Sequence, residues 1–144
     1  MRKDFFGHKK TKIHENRINI PKEFKCKFTE GEELIITIGP NKRIAIFTND
    51  NFIETIEKLK LGDRRQKILS RRLRRFAMSA QTLEGPGRVR IDSDLLEFSK
   101  ITKEVMVEGN GNFMTIWDST AYDEYKSEQF KLHLEEIEEE DYDI

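Results

Sequence analysis

Ile13-His14-Glu15-Asn16-Arg17-Ile18-Asn19-Ile20-Pro21 is a stretch whose layout the chain repeats. Leu83-Glu84-Gly85-Pro86-Gly87-Arg88-Val89-Arg90-Ile91 has the same plan. In each, a residue suited to positive φ (Asn16, Gly87) stands directly before an arginine (Arg17, Arg88), because glycine takes that conformation freely and asparagine tolerates it best among the others. A short run of alternating apolar residues follows: Ile18 and Ile20 in one copy, Val89 and Ile91 in the other. Each copy therefore predicts strand, tight turn, strand, with the arginine at the turn exit, where its side chain projects past the sheet edge.

The correspondence continues beyond the turns. An offset of 71 carries Arg17 to Arg88, Ile20 to Ile91 and Leu34-Ile36 to Val105-Val107. After Gly39-Pro40-Asn41 and Gly109-Asn110-Gly111 the offset becomes 70, pairing Ile44-Ala45-Ile46-Phe47 with Met114-Thr115-Ile116-Trp117, and Phe52 with Tyr122. One residue lost in a turn accounts for the slip. A long period present only twice indicates internal duplication, not a solenoid, which needs at least three repeats to cover its faces.

The elements between follow from local pattern. Phe5 to Ile13 reads as a strand interrupted by Gly7, and Pro21 is placed to open a short helix through Phe24. Glu33 to Ile38 and Arg43 to Phe47 read as a hairpin across Gly39-Pro40-Asn41. Thr48 to Asn51 offers helix caps ahead of Phe52, Ile53, Ile56 and Leu59 on one face. Gly62-Asp63 breaks that helix, and Arg64 to Ala77 forms the next, with Ile68, Leu69, Leu73 and Phe76 as its apolar positions. In the second copy, Ser93 to Ser99 is a short helix, strands surround Val105-Val107 and Met114-Trp117, and Asp118 caps a last helix. Its acidic end, from Glu138, puts carboxylates at the negative pole of the helix dipole and is expected to fray.

This order of elements resembles the MraZ family of bacterial transcriptional regulators, which carry a duplicated AbrB-like domain. The resemblance runs from about Phe5 to the C-terminal helix and closes on Ile116-Trp117-Asp118. It implies an α+β fold of two pseudo-symmetric AbrB-like half-barrels of the swapped-hairpin type, flanked by helices. Residues 1–62 would form the first repeat, 63–80 a basic connecting helix, and 81–144 the second repeat with the acidic helix. The family's signature is Asp-x-x-x-Arg, usually with glycine before the arginine. Here Ile13 and Glu84 stand at the aspartate position, and Glu15 and Pro86 at the lysine often found two residues before the arginine. The resemblance further implies sequence-specific DNA binding, transcriptional regulation of a cell-division and cell-wall gene cluster, and a ring-shaped homo-oligomer. An antitoxin-like or assembly protein that uses the fold to bind protein partners is the alternative.

Composition bounds the remaining possibilities. The chain has 144 residues, 36% hydrophobic and 37% charged, which is enough for one modest core under a highly charged surface. One cysteine, Cys26, forms no internal disulfide, and no apolar run approaches membrane length, so the expected setting is the cytoplasm, in association with the nucleoid. A net charge of −1 conceals strong segregation. Arg64, Arg65, Lys67, Arg71, Arg72, Arg74 and Arg75 are opposed locally by Asp63 alone, while Glu135 to Asp143 is nearly all acid. That basic helix is read first as a solvated face, or as one pairing with the acidic tail of a neighbouring subunit.

Catalytic chemistry finds no set of residues. His8, His14 and His133 are scattered without ligand spacing, and Gly109-Asn110-Gly111 lacks the lysine and following helix of a phosphate loop. Cys26 lies between lysines, which favours thiolate, but it reads best as a half-buried structural cysteine. No enzyme activity and no cofactor are expected. The arginine turns are the candidates: Lys9, Lys10, Lys12, His14 and Arg17 would emerge at one sheet edge, with Arg88 in the second copy. Cationic side chains on a turn neutralise phosphates, and arginine also reads guanine edges. Arg88 with Glu84 fits turn bracing as well as it fits binding. For Arg17, with Ile13 at the acidic position, binding is favoured. The expected partner is double-stranded DNA bearing short tandem boxes.

Overall fold

The structure is a computed structural model that describes residues 4–137. The acidic end from Glu138 onward lies outside the described residues. In chain order the elements are β1 (His8–His14), β2 (Arg17–Asn19), α1 (Lys22–Lys25), β3 (Leu34–Ile38), β4 (Ile44–Thr48), α2 (Asn49–Lys60), α3 (Arg64–Arg75), β5 (Arg88–Arg90), α4 (Ser93–Ser99), β6 (Glu104–Gly109), β7 (Met114–Asp118) and α5 (Ser119–Ile137). Pro21 precedes α1 as its cap rather than opening it.

All seven strands join one antiparallel sheet in the order β3-β4-β7-β6-β1-β2-β5. The two copies interleave within it. The hairpin β3-β4 lies beside the hairpin β6-β7, and β1 of the first copy adds to β6 of the second. The register agrees with the sequence offsets. Across β2 and β5, Ile18 faces Val89 while Arg17 faces Arg90 and Asn19 faces Arg88. Under the offset of 71, Ile18 is thus paired with its own counterpart, and the flanking pairs exchange. Across β4 and β7, Ala45 faces Thr115 and the same exchange holds at offset 70. One pseudo-twofold relation therefore crosses the curled sheet at two places, between β2 and β5 and between β4 and β7. It curls until one residue ties its two edges. Gln81 exchanges backbone hydrogen bonds with Leu34 of β3 (2.7 and 3.1 Å), and its side-chain amide exchanges two more with the backbone of Arg90 in β5 (2.9 Å each).

Alternation sorts each strand into an inner and an outer face. Inner residues from both copies form one core: Ile18, Ile20, Leu34, Ile36, Ile44, Ile46, Val89, Ile91, Val105, Val107, Met114 and Ile116 are all buried. Phe24 of α1, Leu95 of α4 and Phe5 cap it. Phe5 reaches it by pairing with Gly111, and Gly109 is glycine because a Cβ there would collide with the Phe5-Phe6 backbone. On the outer face, α2 and α3 cover β3 and β4. Thr48 caps α2 by accepting the Asn51 amide at 3.1 Å, and Asp63 with Gln66 forms a reciprocal capping box on α3. Met106, Trp117 and Tyr122 make a small second cluster under the start of α5.

Candidate nucleic-acid interface

The first turn is built by two consecutive residues of positive φ, Glu15 (50°) and Asn16 (63°), which close β1 onto β2 with His14 facing Arg17. The second spans Gly85-Pro86-Gly87, with φ of 50° at Gly85 and 115° at Gly87, and brings Glu84 opposite Arg88. It is one residue longer. Glu84 therefore occupies the place of His14, not that of Ile13. The turns are also braced differently: Asn16 donates to the Ser93 hydroxyl at 3.1 Å, whereas Lys25 donates to the Pro86 carbonyl at 2.6 Å.

Since register partners in an antiparallel pair share a face, the outer face of β1, β2 and β5 carries Lys10, Lys12 and His14, then Arg17 and Asn19, then Arg90 and Arg88. Their inner neighbours Ile18 and Val89 are fully buried, which fixes this side outward. Strands lie about 4.8 Å apart, so three of them present a cationic strip about 10 Å across.

Of the residues expected at the site, Lys10, Lys12, His14, Arg17 and Arg88 share this strip. Lys9 does not: it lies on the other face of β1, 3.8 Å from Glu23 of α1. Lys10 is 3.4 Å from Asp123 of α5. Arg17 donates through Nε to Glu84 at 3.1 Å and reaches the Glu15 carbonyl at 3.4 Å. The acid expected to brace Arg88 thus belongs to Arg17, because antiparallel pairing of β2 with β5 sets the first arginine beside the second turn. Lys12 and Arg88 make no ion pair with another described residue. Arg90 was not singled out from the sequence, although Arg88-Val89-Arg90 places both arginines on one face of a strand. Its guanidinium holds Asp92 at 2.8 Å.

A family model described as "MraZ protein, putative antitoxin-like" matches residues 76–144. A protein of Finegoldia magna named transcriptional regulator MraZ is 32% identical over 114 residues, 78% of each chain. The chain belongs to the MraZ family. Relatives of the same name from Corynebacterium kroppenstedtii and Cutibacterium acnes are 29% and 27% identical over 127 and 128 residues, 86% and 87% of this chain and 87% and 89% of theirs.

In this MraZ-family chain the other candidate chemistry falls away from the strip. Cys26 is exposed rather than half-buried, because Phe24 takes the inward position of α1 and Cys26 caps its end. Among the described residues no group of histidine, cysteine and carboxylate side chains is arranged to hold a metal, and no helix is long and apolar enough to cross a membrane.

Proposed function

We propose that this MraZ-family chain is a DNA-binding transcriptional regulator that lays the outer face of β1, β2 and β5 against the duplex. The observation that carries this reading is the shared face of Lys10, Lys12, His14, Arg17, Arg88 and Arg90, set at two adjacent turns by the β2-β5 register. A strip about 10 Å across fits a major groove about 12 Å wide, and antiparallel strands are an established way of reading that groove. Arg17, Arg88 and Arg90 project from the paired turns and reach base edges, while Lys10 and Lys12 along β1 position the backbone.

One copy offers few cations, each phosphate it neutralises adding about −0.9 to the salt slope, so its binding is weak and salt-sensitive. A ring-shaped homo-oligomer would present several such strips together. Short tandem boxes along one duplex would then be held far better than a single box, through effective concentration. The cytoplasm, at the nucleoid, and a cell-division and cell-wall gene cluster as target, complete the proposal.

The test is selection of bound sequences from a random duplex pool, followed by fluorescence anisotropy on the selected boxes. Arg17→Ala is expected to cost about 1–3 kcal/mol per engaged subunit and to relax sequence preference. Lys12→Ala is expected to weaken all sequences alike and flatten the salt slope. Unchanged affinity for both Arg17→Ala and Arg88→Ala, with assembly intact, overturns the site.

A further inference from the structure

One side chain of the outer strip takes no part in the contacts described so far. Asn19 is exposed on β2, flanked in the chain by the buried Ile18 and Ile20, and stands in register with Arg88 of β5. Folding does not call for asparagine there. Strands disfavour it, and a β-branched residue fills an exposed strand position better. The amides around it serve the structure: Asn16 donates to the Ser93 hydroxyl at 3.1 Å, and Gln81 both donates to and accepts from the Arg90 backbone at 2.9 Å. The Asn19 amide bonds to no other described residue.

The β2-β5 register sorts the central side chains of the strip into two pairs, Arg17 with Arg90 and Asn19 with Arg88. Both members of the first pair are engaged, Arg17 by Glu84 at 3.1 Å and Arg90 by Asp92 at 2.8 Å. Asn19 and Arg88 have no such partner among the described residues, so they give up nothing on meeting a ligand. The offset of 71 carries Arg17 to Arg88 but Asn19 to Arg90. The pseudo-twofold relation is therefore broken at this point, with an uncharged amide where its counterpart is a cation.

A carboxamide sets one donor beside one acceptor. That is the complement of the N6 amine and N7 of adenine in the major groove, whereas a phosphate accepts only and is better served by the cations nearby. We infer that Asn19 reads an adenine. This rests on the proposal that the strip faces the duplex, and names one base it recognises. Residues two apart on a strand lie about 6.8 Å apart, equal to two base steps of about 3.4 Å. With β2 laid along the groove, the adenine lies two pairs from the base met by Arg17. Because Asn19 and Arg90 differ, the sequence read is not palindromic, and each copy takes one orientation on its box.

The experiment is selection from a random duplex pool by the full chain as wild type, Asn19→Ala and Arg17→Ala, with circular dichroism as a fold control. Wild type is expected to select a box containing the adenine. Asn19→Ala is expected to accept any base at that position and to keep the other preferences. In fluorescence anisotropy, replacing that A·T pair is expected to weaken wild type by roughly 5- to 140-fold and Asn19→Ala not at all. Placing 7-deazaadenine there, which keeps base pairing and removes only the N7 acceptor, is expected to weaken wild type and leave Asn19→Ala unmoved. Unchanged preferences in Asn19→Ala, or equal weakening on every sequence, overturn the adenine assignment; the DNA proposal then stands if Arg17→Ala still relaxes the box. A wild type that selects no sequence overturns both.

Discussion

If the outer face of β1, β2 and β5 binds DNA as proposed, Glu84 competes with DNA for Arg17, and Glu84→Gln measures how strongly. The guanidinium and carboxylate meet at 3.1 Å, with side chains 37% and 46% exposed. A pair so open to solvent is worth about 0.2–1 kcal/mol. Arg17 must give up Glu84 to engage a base or phosphate, so removing the carboxylate returns that free energy to binding. At about 1.4 kcal/mol per tenfold, the gain is roughly 1.4- to 5-fold per engaged subunit, multiplying across subunits. A general term adds to it. A carboxylate about 8 Å from a phosphate repels it by about 0.5 kcal/mol in water, and salt at 0.15 M cuts this to about 0.2 kcal/mol. The two terms separate in a double-mutant cycle, because the general one survives in an Arg17→Ala background and the specific one does not. The assay is fluorescence anisotropy on a selected tandem-box duplex for wild type, both single variants and the double variant. If Glu84→Gln weakens binding, Glu84 holds Arg17 in its reading pose and the competition argument is refuted. An equally large gain in the Arg17→Ala background refutes the pairing as its cause.

Three other outcomes follow from the packing. Asn51 is buried and donates from its side chain to the Asn112 carbonyl at 2.9 Å, tying α2 to the β6-β7 turn; Asn51→Ala is expected to cost about 1–3 kcal/mol in urea unfolding. Ile46 is fully buried beside the β4-β7 pseudo-axis, so Ile46→Ala is expected to cost about 2–5 kcal/mol by the same measurement. The Tyr122 phenol is held above its ordinary 10.0, first by burial and then by the charges of Glu108 and Asp123. The unfolded chain ionises there first, so stability is unaffected below pH 10.0 and falls as pH rises through that value towards the folded pKa. Tyr122→Phe is expected to remove this alkaline loss, as followed by urea midpoints across the range.

The offsets of 71 and 70 were legible in the sequence, and the strand register is consistent with them. An offset read from Arg17 and Arg88 becomes, in space, the exchange of pairs across Ile18 and Val89. Turn chemistry was equally local: Asn16 tolerates positive φ, and Gly87, lacking a Cβ, adopts it freely. The contacts of the arginines were not legible. Glu84 lies 67 residues from Arg17 in sequence, and only the β2-β5 pairing brings them together. The longer second turn also displaced the alignment of its first arm by one residue, enough to put Glu84 in register with His14 instead of Ile13. Lys9 and Lys10 show the opposite case. A period of two separates them, but their closeness in sequence suggested one cluster; the structure gives Lys9 to Glu23 and Lys10 to Asp123 on opposite faces.

The chain's two basic surfaces differ in what lies between their charges, and this decides their partners. Among the described residues, the exposed large apolar side chains lie outside β1, β2 and β5, among them Phe6 ahead of β1, Leu69 and Phe76 of α3 and Phe98 of α4. A DNA backbone remains hydrated and offers nothing to fill an apolar groove, so it is matched by the β strip and mismatched by α3. A partner that brings apolar side chains is matched by the exposed Leu69 and Phe76 of α3 and mismatched by the strip. Salt therefore acts on the two contacts unequally. DNA binding to the strip, as proposed, would be almost wholly electrostatic and would fall steeply as counterions are added back. An apolar contact on α3 would keep its apolar part when neighbouring charges are screened. Between moderate and high salt, DNA held by the proposed strip is expected to be released more readily than any partner seated on the apolar face of α3.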